Sequence, residues 1–154
     1  MSIRFEFQNT SQSKLLPSQI LLKQWINATK NLCPQRSELT IRIVSEDESA
    51  QLNERYRHKR GPTNVLSFPA ESIIENGYTY LGDLIVCASI VEKEAIQQHK
   101  TLNAHWAHIT IHGILHLLGY DHITNQDAER MESLEIQILS TLGFPNPYLM
   151  ENNE

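Results

Sequence analysis

The sequence is poor in cysteine, in long apolar runs and in surplus positive charge. Its 154 residues hold two cysteines, Cys33 and Cys87, far apart in the chain. Two such residues make no disulfide framework, and neither has the close Cys or His partner of a zinc-finger pair. Both are expected to be buried thiols. No stretch approaches the roughly 18 consecutive apolar residues of a membrane span. The start, Met-Ser-Ile-Arg-Phe-Glu-Phe, alternates apolar and polar residues and lacks the apolar core of a signal peptide. A cytoplasmic protein with no membrane partner is the expectation. Lys and Arg total 13 against 18 Asp and Glu, a formal net charge of −5. That argues against a dedicated nucleic-acid binder of the usual basic kind, although a local basic patch can exist on an acidic protein. No repeat, low-complexity segment or linker interrupts the chain. Residues 1–145 are expected to form a single domain and the polar stretch 146–154 a disordered tail.

Periodicity then divides the domain. Ile3, Phe5 and Phe7 alternate with Arg4 and Glu6, which predicts a half-buried strand over 2–9. Pro17 suits a first helical turn, and Ile20, Leu21, Gln24, Trp25 and Ala28 follow at helical spacing to about Asn31. Leu39, Ile41 and Ile43 mark a second strand. Ser45-Glu-Asp-Glu48 fits a capping box opening a helix to about residue 56, with Leu52 and Tyr56 facing inward. Asn64–Phe68 reads as a short strand ending at Pro69, residues 70–79 as a loop with a turn at Asn76-Gly77, and Tyr80–Cys87 as a buried strand. Helices follow over 89–100 and 102–118. A last one opens at Thr124-Asn-Gln-Asp127, with Met131, Leu134, Ile138 and Leu142 as its inner stripe. The expected fold is α+β, a small mixed sheet of about four strands covered by about five helices.

Chemistry concentrates in His112-Gly-Ile-Leu-His116-Leu-Leu-Gly119-Tyr-Asp-His122. His112 and His116 stand four apart and share one helix face. Gly119 suits a left-handed helix end, after which the chain can return His122 to the same point. Three imidazoles converging this way point to one zinc ion with an open coordination position, the catalytic rather than the closed structural pattern. Imidazole chemistry leaves nickel or another divalent metal open. Hydrolysis is the natural reaction class. The spacing His-x3-His-x2-Gly-x2-His is that of metzincin proteases, a zincin-like metal helix, but their general-base glutamate follows the first histidine and here that position is Gly113. Asp121 is the nearest carboxylate, a candidate base or only a turn cap. His108 lies on the same helix face and is expected in the core or at the surface, or else as a partner to a ligand; His105 is expected to face solvent.

Four of the basic residues, Arg55, Arg57, Lys59 and Arg60, crowd into six positions. Such a run is either solvated or recognises phosphate. The Pro62-Thr-Asn-Val-Leu-Ser-Phe-Pro69 stretch beside it would hold it at a fixed distance from the sheet, which favours phosphate.

Taken together, Asn53–Arg57 leading into Pro62–Pro69, Tyr80-Leu-Gly-Asp-Leu-Ile85 and the His112–His122 motif resemble the YbeY family of bacterial endoribonucleases, also called rRNA maturation factors. The resemblance covers nearly the whole chain. It implies a metal held by His112, His116 and His122, cleavage of single-stranded RNA, maturation of the 3′ end of small-subunit ribosomal RNA and ribosome quality control. The family's functionally important arginine falls on Arg57, which would stabilise charge on the phosphoryl oxygens. Ribosomal RNA is the expected partner, with ribosomal or assembly proteins to deliver an acidic enzyme to it. The alternatives are a metzincin-like metallopeptidase and a non-enzymatic assembly factor with structural zinc.

Overall fold

The structure is a computed structural model in which residues 2–149 are described. The order is β1 (Ser2–Asn9), α1 (Gln19–Asn27), a short 3-10 turn (Lys30–Leu32), β2 (Arg36–Ile43), α2 (Glu46–Arg57), β3 (Val65–Glu75), β4 (Tyr78–Val86), α3 (Ala88–Gln97), α4 (Leu102–Leu117) and α5 (Asn125–Thr141). One mixed sheet of four strands runs β1-β2-β4-β3. β1, β2 and β4 are parallel, and β3 is antiparallel to β4 at one edge. This is the α+β architecture expected from the pattern.

Strand alternation works as two-residue periodicity dictates. Along β2, Ser37, Leu39, Ile41 and Ile43 are buried while Glu38, Thr40 and Arg42 lie at the opposite, half-exposed face. α4 packs on the sheet at β3 and β4 and also touches α1, α3 and α5. That central position explains its composition. A helix apolar all round is one that is buried all round, and Trp106, Ile111, Ile114 and Leu115 are each no more than 1% exposed. The inner stripe of α5 is confirmed, with Met131 and Ile138 buried and Leu134 and Leu142 packed against the core. Both cysteines are free and buried. No described helix is long and apolar enough to cross a membrane.

Local chemistry sets the boundaries, with some corrections. Ser45 caps α2 by accepting the Glu48 N–H at 3.1 Å; the Glu48 carboxylate pairs with Arg42 at 2.6 Å. Thr124 caps α5 by accepting the Asp127 N–H at 3.0 Å. Pro17 lies outside α1, whose cap is Ser18, and the helix stops at Asn27 rather than Asn31. The loop expected over 70–79 is instead a hairpin. β3 continues to Glu75, and the turn is Asn76-Gly77, with φ of 55° and 81°. Two successive left-handed residues match the right-handed twist of paired strands, which an ordinary turn would splay. Pro69 does not end β3 because β3 is the edge strand, where a missing N–H breaks no ladder; the register shifts just after it. Tyr56 faces outward, 56% exposed, and sets its ring edge-to-face against Phe68 at 5.2 Å. From the stretch 146–154, residues 146–149 are described and the remainder lies outside the described residues.

Candidate metal centre and the cleft around it

α4 carries His112 and His116 one turn apart, and their ring centroids stand 4.6 Å from each other. The helix then ends as the glycine signalled. Gly119, at φ 100°, donates its N–H to the His116 carbonyl, and Tyr120 donates to the Leu115 carbonyl. This paired closure reverses the chain and requires a left-handed residue at its centre. It returns His122 to 5.3 Å from His116 and 6.0 Å from His112, centroid to centroid. Ring nitrogens held at about 2.0–2.1 Å around one tetrahedral ion would set centroids about 5.2 Å apart. The three observed separations straddle that value, so the residues fit such an ion.

Gly113 sits where the helix meets the sheet. A Cβ there would lie 2.8 Å from Leu84 Cδ2 and 3.4 Å from Val65 Cγ2. Ser67 donates its hydroxyl to the Gly113 carbonyl at 3.1 Å. The position has no room for the glutamate of a metzincin and faces packed side chains, which removes the main support for a peptidase.

The opposite wall of the cleft comes from α2 and β3. Tyr56, Arg57 and the Asn64–Pro69 segment line, with His112, His116 and His122, one cavity of about 500 Å³. Arg57 ends α2, and His58 caps it in the left-handed region at φ 58°. The basic loop that follows is tied back by two buried polar residues. Asn53 donates Nδ2 to the Gly61 carbonyl at 2.9 Å. Ser49 donates to the Thr63 carbonyl and accepts the Thr63 N–H. The wall carrying Arg57 is thereby held against the first residues of β3. Asp121 does not line the cleft; its Oδ1 accepts the Ile123 N–H at 3.3 Å.

A family model described as Endoribonuclease YbeY matches residues 5–143. The chain belongs to that family. Among its relatives, Endoribonuclease YbeY proteins from two strains of Coxiella burnetii are 52% identical over 149 residues, covering 95% of this chain and 98% of theirs. A solution structure of a Thermotoga maritima protein shares the fold, with a TM-score of 0.56 and 24% identity over 97% of this chain and 99% of that one.

In this YbeY-family chain, one of the histidines behind the cleft departs from expectation. His105 is 2% exposed rather than solvent-facing, and its Nε2 meets Glu94 Oε1 at 2.8 Å. Glu94 also accepts from Asn64 Nδ2, so a partly buried polar chain runs from α4 to the cleft wall. His108 is buried and contacts Glu135 Oε1 through Nε2 at 2.8 Å; the other carboxylate oxygen, Oε2, takes His112 Nδ1 at 2.7 Å. Tyr148 donates its hydroxyl to the same Glu135 Oε1. Glu135 was not foreseen, although a signal was present: an acidic residue stands inside the apolar stripe Met131, Leu134, Ile138 of α5.

Burial, then the neighbouring His112 and His122, push the His116 pKa down to about 4, so its imidazole is neutral at pH 7. Burial would raise the Glu135 carboxyl, but the hydrogen bonds from His108 and His112 outweigh it and bring the pKa to about 2. Burial also lowers His108, against the pull of Glu135. The Glu135 carboxylate thus accepts from His108, His112 and Tyr148. One atom each from His108, His112 and Glu135 lie within 4.8 Å of one another, close enough to hold an ion themselves. Their contacts at 2.7 and 2.8 Å have hydrogen-bond geometry, however, with the protons occupying that space. The His112, His116 and His122 rings gather on the cleft side of the same helix end.

Proposed function

We propose that this chain is a metal-dependent endoribonuclease that cleaves single-stranded RNA, acting in the cytoplasm on ribosomal RNA at the 3′ end of the small-subunit molecule and in ribosome quality control. The observation that carries this reading is one cleft lined by His112 and His116 of α4, His122 from the turn after it, and Arg57 at the end of α2. Family membership supplies the reaction class. Zinc is the proposed ion, because three neutral imidazoles with an open position suit it. When bound, such an ion supplies Lewis acidity toward a phosphoryl oxygen and lowers the pKa of a water to about 7.

The chain's own residues divide the remaining work. His112, His116 and His122 hold the ion. Arg57 binds phosphate through a planar guanidinium and stabilises the charge that grows on its oxygens in the transition state. The edge of β3 beside it presents backbone groups along which an unpaired strand can lie. Asp121 orders the turn that carries His122 through its bond to the Ile123 N–H, and is assigned no contact with substrate. With a net charge of −5, the protein has little long-range attraction for RNA, and delivery by ribosomal or assembly proteins is part of the proposal.

The test is metal analysis of the purified protein combined with cleavage of single- and double-stranded RNA, wild type against His116→Ala. The expected result is about one ion per chain and cleavage of single strands in the wild type, both lost in the variant. Retention of metal and cleavage by His116→Ala refutes the assignment, and binding of RNA without turnover by metal-loaded wild type favours a non-enzymatic assembly factor.

A further inference from the structure

Glu135 is completely buried, with no Lys or Arg pairing it among the described residues. Its three partners are donors from two segments: His108 and His112 on α4, and Tyr148 beyond α5. A carboxylate only accepts, so the contact at 2.7 Å obliges His112 to carry its proton on Nδ1. In the neutral ring, the lone pair is then on Nε2, the nitrogen left for the cleft that His112 lines.

We propose that Glu135 is a positioning residue for the metal centre: it locks the His112 ring in the Nδ1–H tautomer, aims Nε2 into the cleft and raises its basicity as a ligand. This rests on the three-histidine reading of the site. A histidine that binds metal through one nitrogen usually donates from the other, and loss of such a carboxylate typically weakens metal binding by about 10–100-fold. The geometry is unusually constrained here. Oε1 is occupied by His108 and Tyr148, so the carboxylate cannot swing away from His112 without breaking both contacts. The buried row His108–Glu135–His112 therefore works as a clamp on one ligand, built before any ion arrives.

The experiment measures zinc affinity of folded protein by competition with a chelating dye, for wild type, Glu135→Gln and Tyr148→Phe, with circular dichroism showing that each is folded at the temperature used. Glu135→Gln keeps size and one acceptor but removes the charge; the zinc Kd should rise about 10–100-fold. Tyr148→Phe removes another donor to the same carboxylate without touching His112, and its Kd should stay within about threefold. A merely structural role would lower the melting temperature of both variants and leave both zinc affinities unmoved. An unchanged Kd in Glu135→Gln, or an equal loss in Tyr148→Phe, overturns the inference. Should Glu135→Gln fail to fold, nitrogen NMR of histidine side chains in metal-free wild type decides: His112 as the Nδ1–H tautomer supports the clamp and the Nε2–H tautomer refutes it. Wild type that binds no zinc at the three histidines would instead be a failure of the metal-site reading itself.

Discussion

Gly113→Ala measures how tightly the metal helix is held against the sheet. Removing glycine from a helix interior should gain about 1 kcal/mol of helix propensity. Against that, the new Cβ would approach Leu84 Cδ2 to 2.8 Å and Leu84 Cδ1 to 3.3 Å. Leu84 is fully buried, so its side chain has no solvent to retreat into. Overpacking of this kind costs about 1–3 kcal/mol. The expected net effect is a loss of about 0–2 kcal/mol, or up to about 8 °C in Tm for a chain of this size. Part of the strain can be relieved by lifting α4 from β3, which stretches the Ser67 bond to the Gly113 carbonyl. His112 and His116 ride together on that helix, so zinc affinity should stay within about threefold. The distance to Arg57 on the other wall would change, and a misplacement of about 1 Å can cost 100-fold in rate. Cleavage should therefore fall at least tenfold while the metal remains bound. Thermal unfolding, dye competition and single-strand cleavage read the three quantities. A variant that gains the full helix propensity, with Tm raised by a few degrees and cleavage intact, would refute the tight-contact argument.

Arg57→Ala should lower cleavage by about 10²–10³ with Tm unchanged, since the side chain is exposed; equal loss of RNA affinity and turnover would make it a binding residue only. Gly119→Ala places a side chain at φ 100° and should weaken zinc binding through His122, at a cost of about 1–2 kcal/mol in stability. Metal-free protein should lose stability on acidification in two windows. His116 has its folded pKa depressed to about 4, so the native state resists its protonation, and stability present above the unfolded value near 6.5 falls as pH drops toward 4. Glu135, depressed to about 2, contributes stability above its unfolded value and loses it as pH falls further through 2. Urea unfolding should show a steeper first loss in wild type than in His116→Gln, where only buried His108 still contributes to it; identical slopes between pH 7 and 4 would contradict it.

The clustering of the three histidines was legible because its logic is local. Histidines four apart share a helix face whatever the helix packs against, and Gly119 terminates that helix through backbone sterics alone. The strand and helix pattern was legible for the same reason, as was the inner stripe of α5. The errors fell where distant segments decide. Residues 70–79 looked like a loop because polar residues dominate them, yet pairing with β4 and the Asn76-Gly77 turn make them strand. His105 looked solvent-facing because nothing nearby in sequence needed it; Glu94 on α3, supplied by folding, gives it a buried partner. Tyr56 has an apolar body at an inward-looking position but covers Phe68 from outside.

By itself, then, the sequence determined the ingredients of the cleft: three histidines, a glycine where a peptidase needs a carboxylate, and an arginine in a basic run at the end of a helix. Those follow from bonded geometry and helical periodicity. Tertiary structure alone decided that Arg57 and the histidines line one cleft, that Gly113 is a packing contact with Leu84, and that Glu135, 23 residues beyond His112, meets its Nδ1. Each depends on which helix lies over which strand. No residue pattern along α2, α4 or α5 encodes that separately; it is set by the joint burial of their apolar faces.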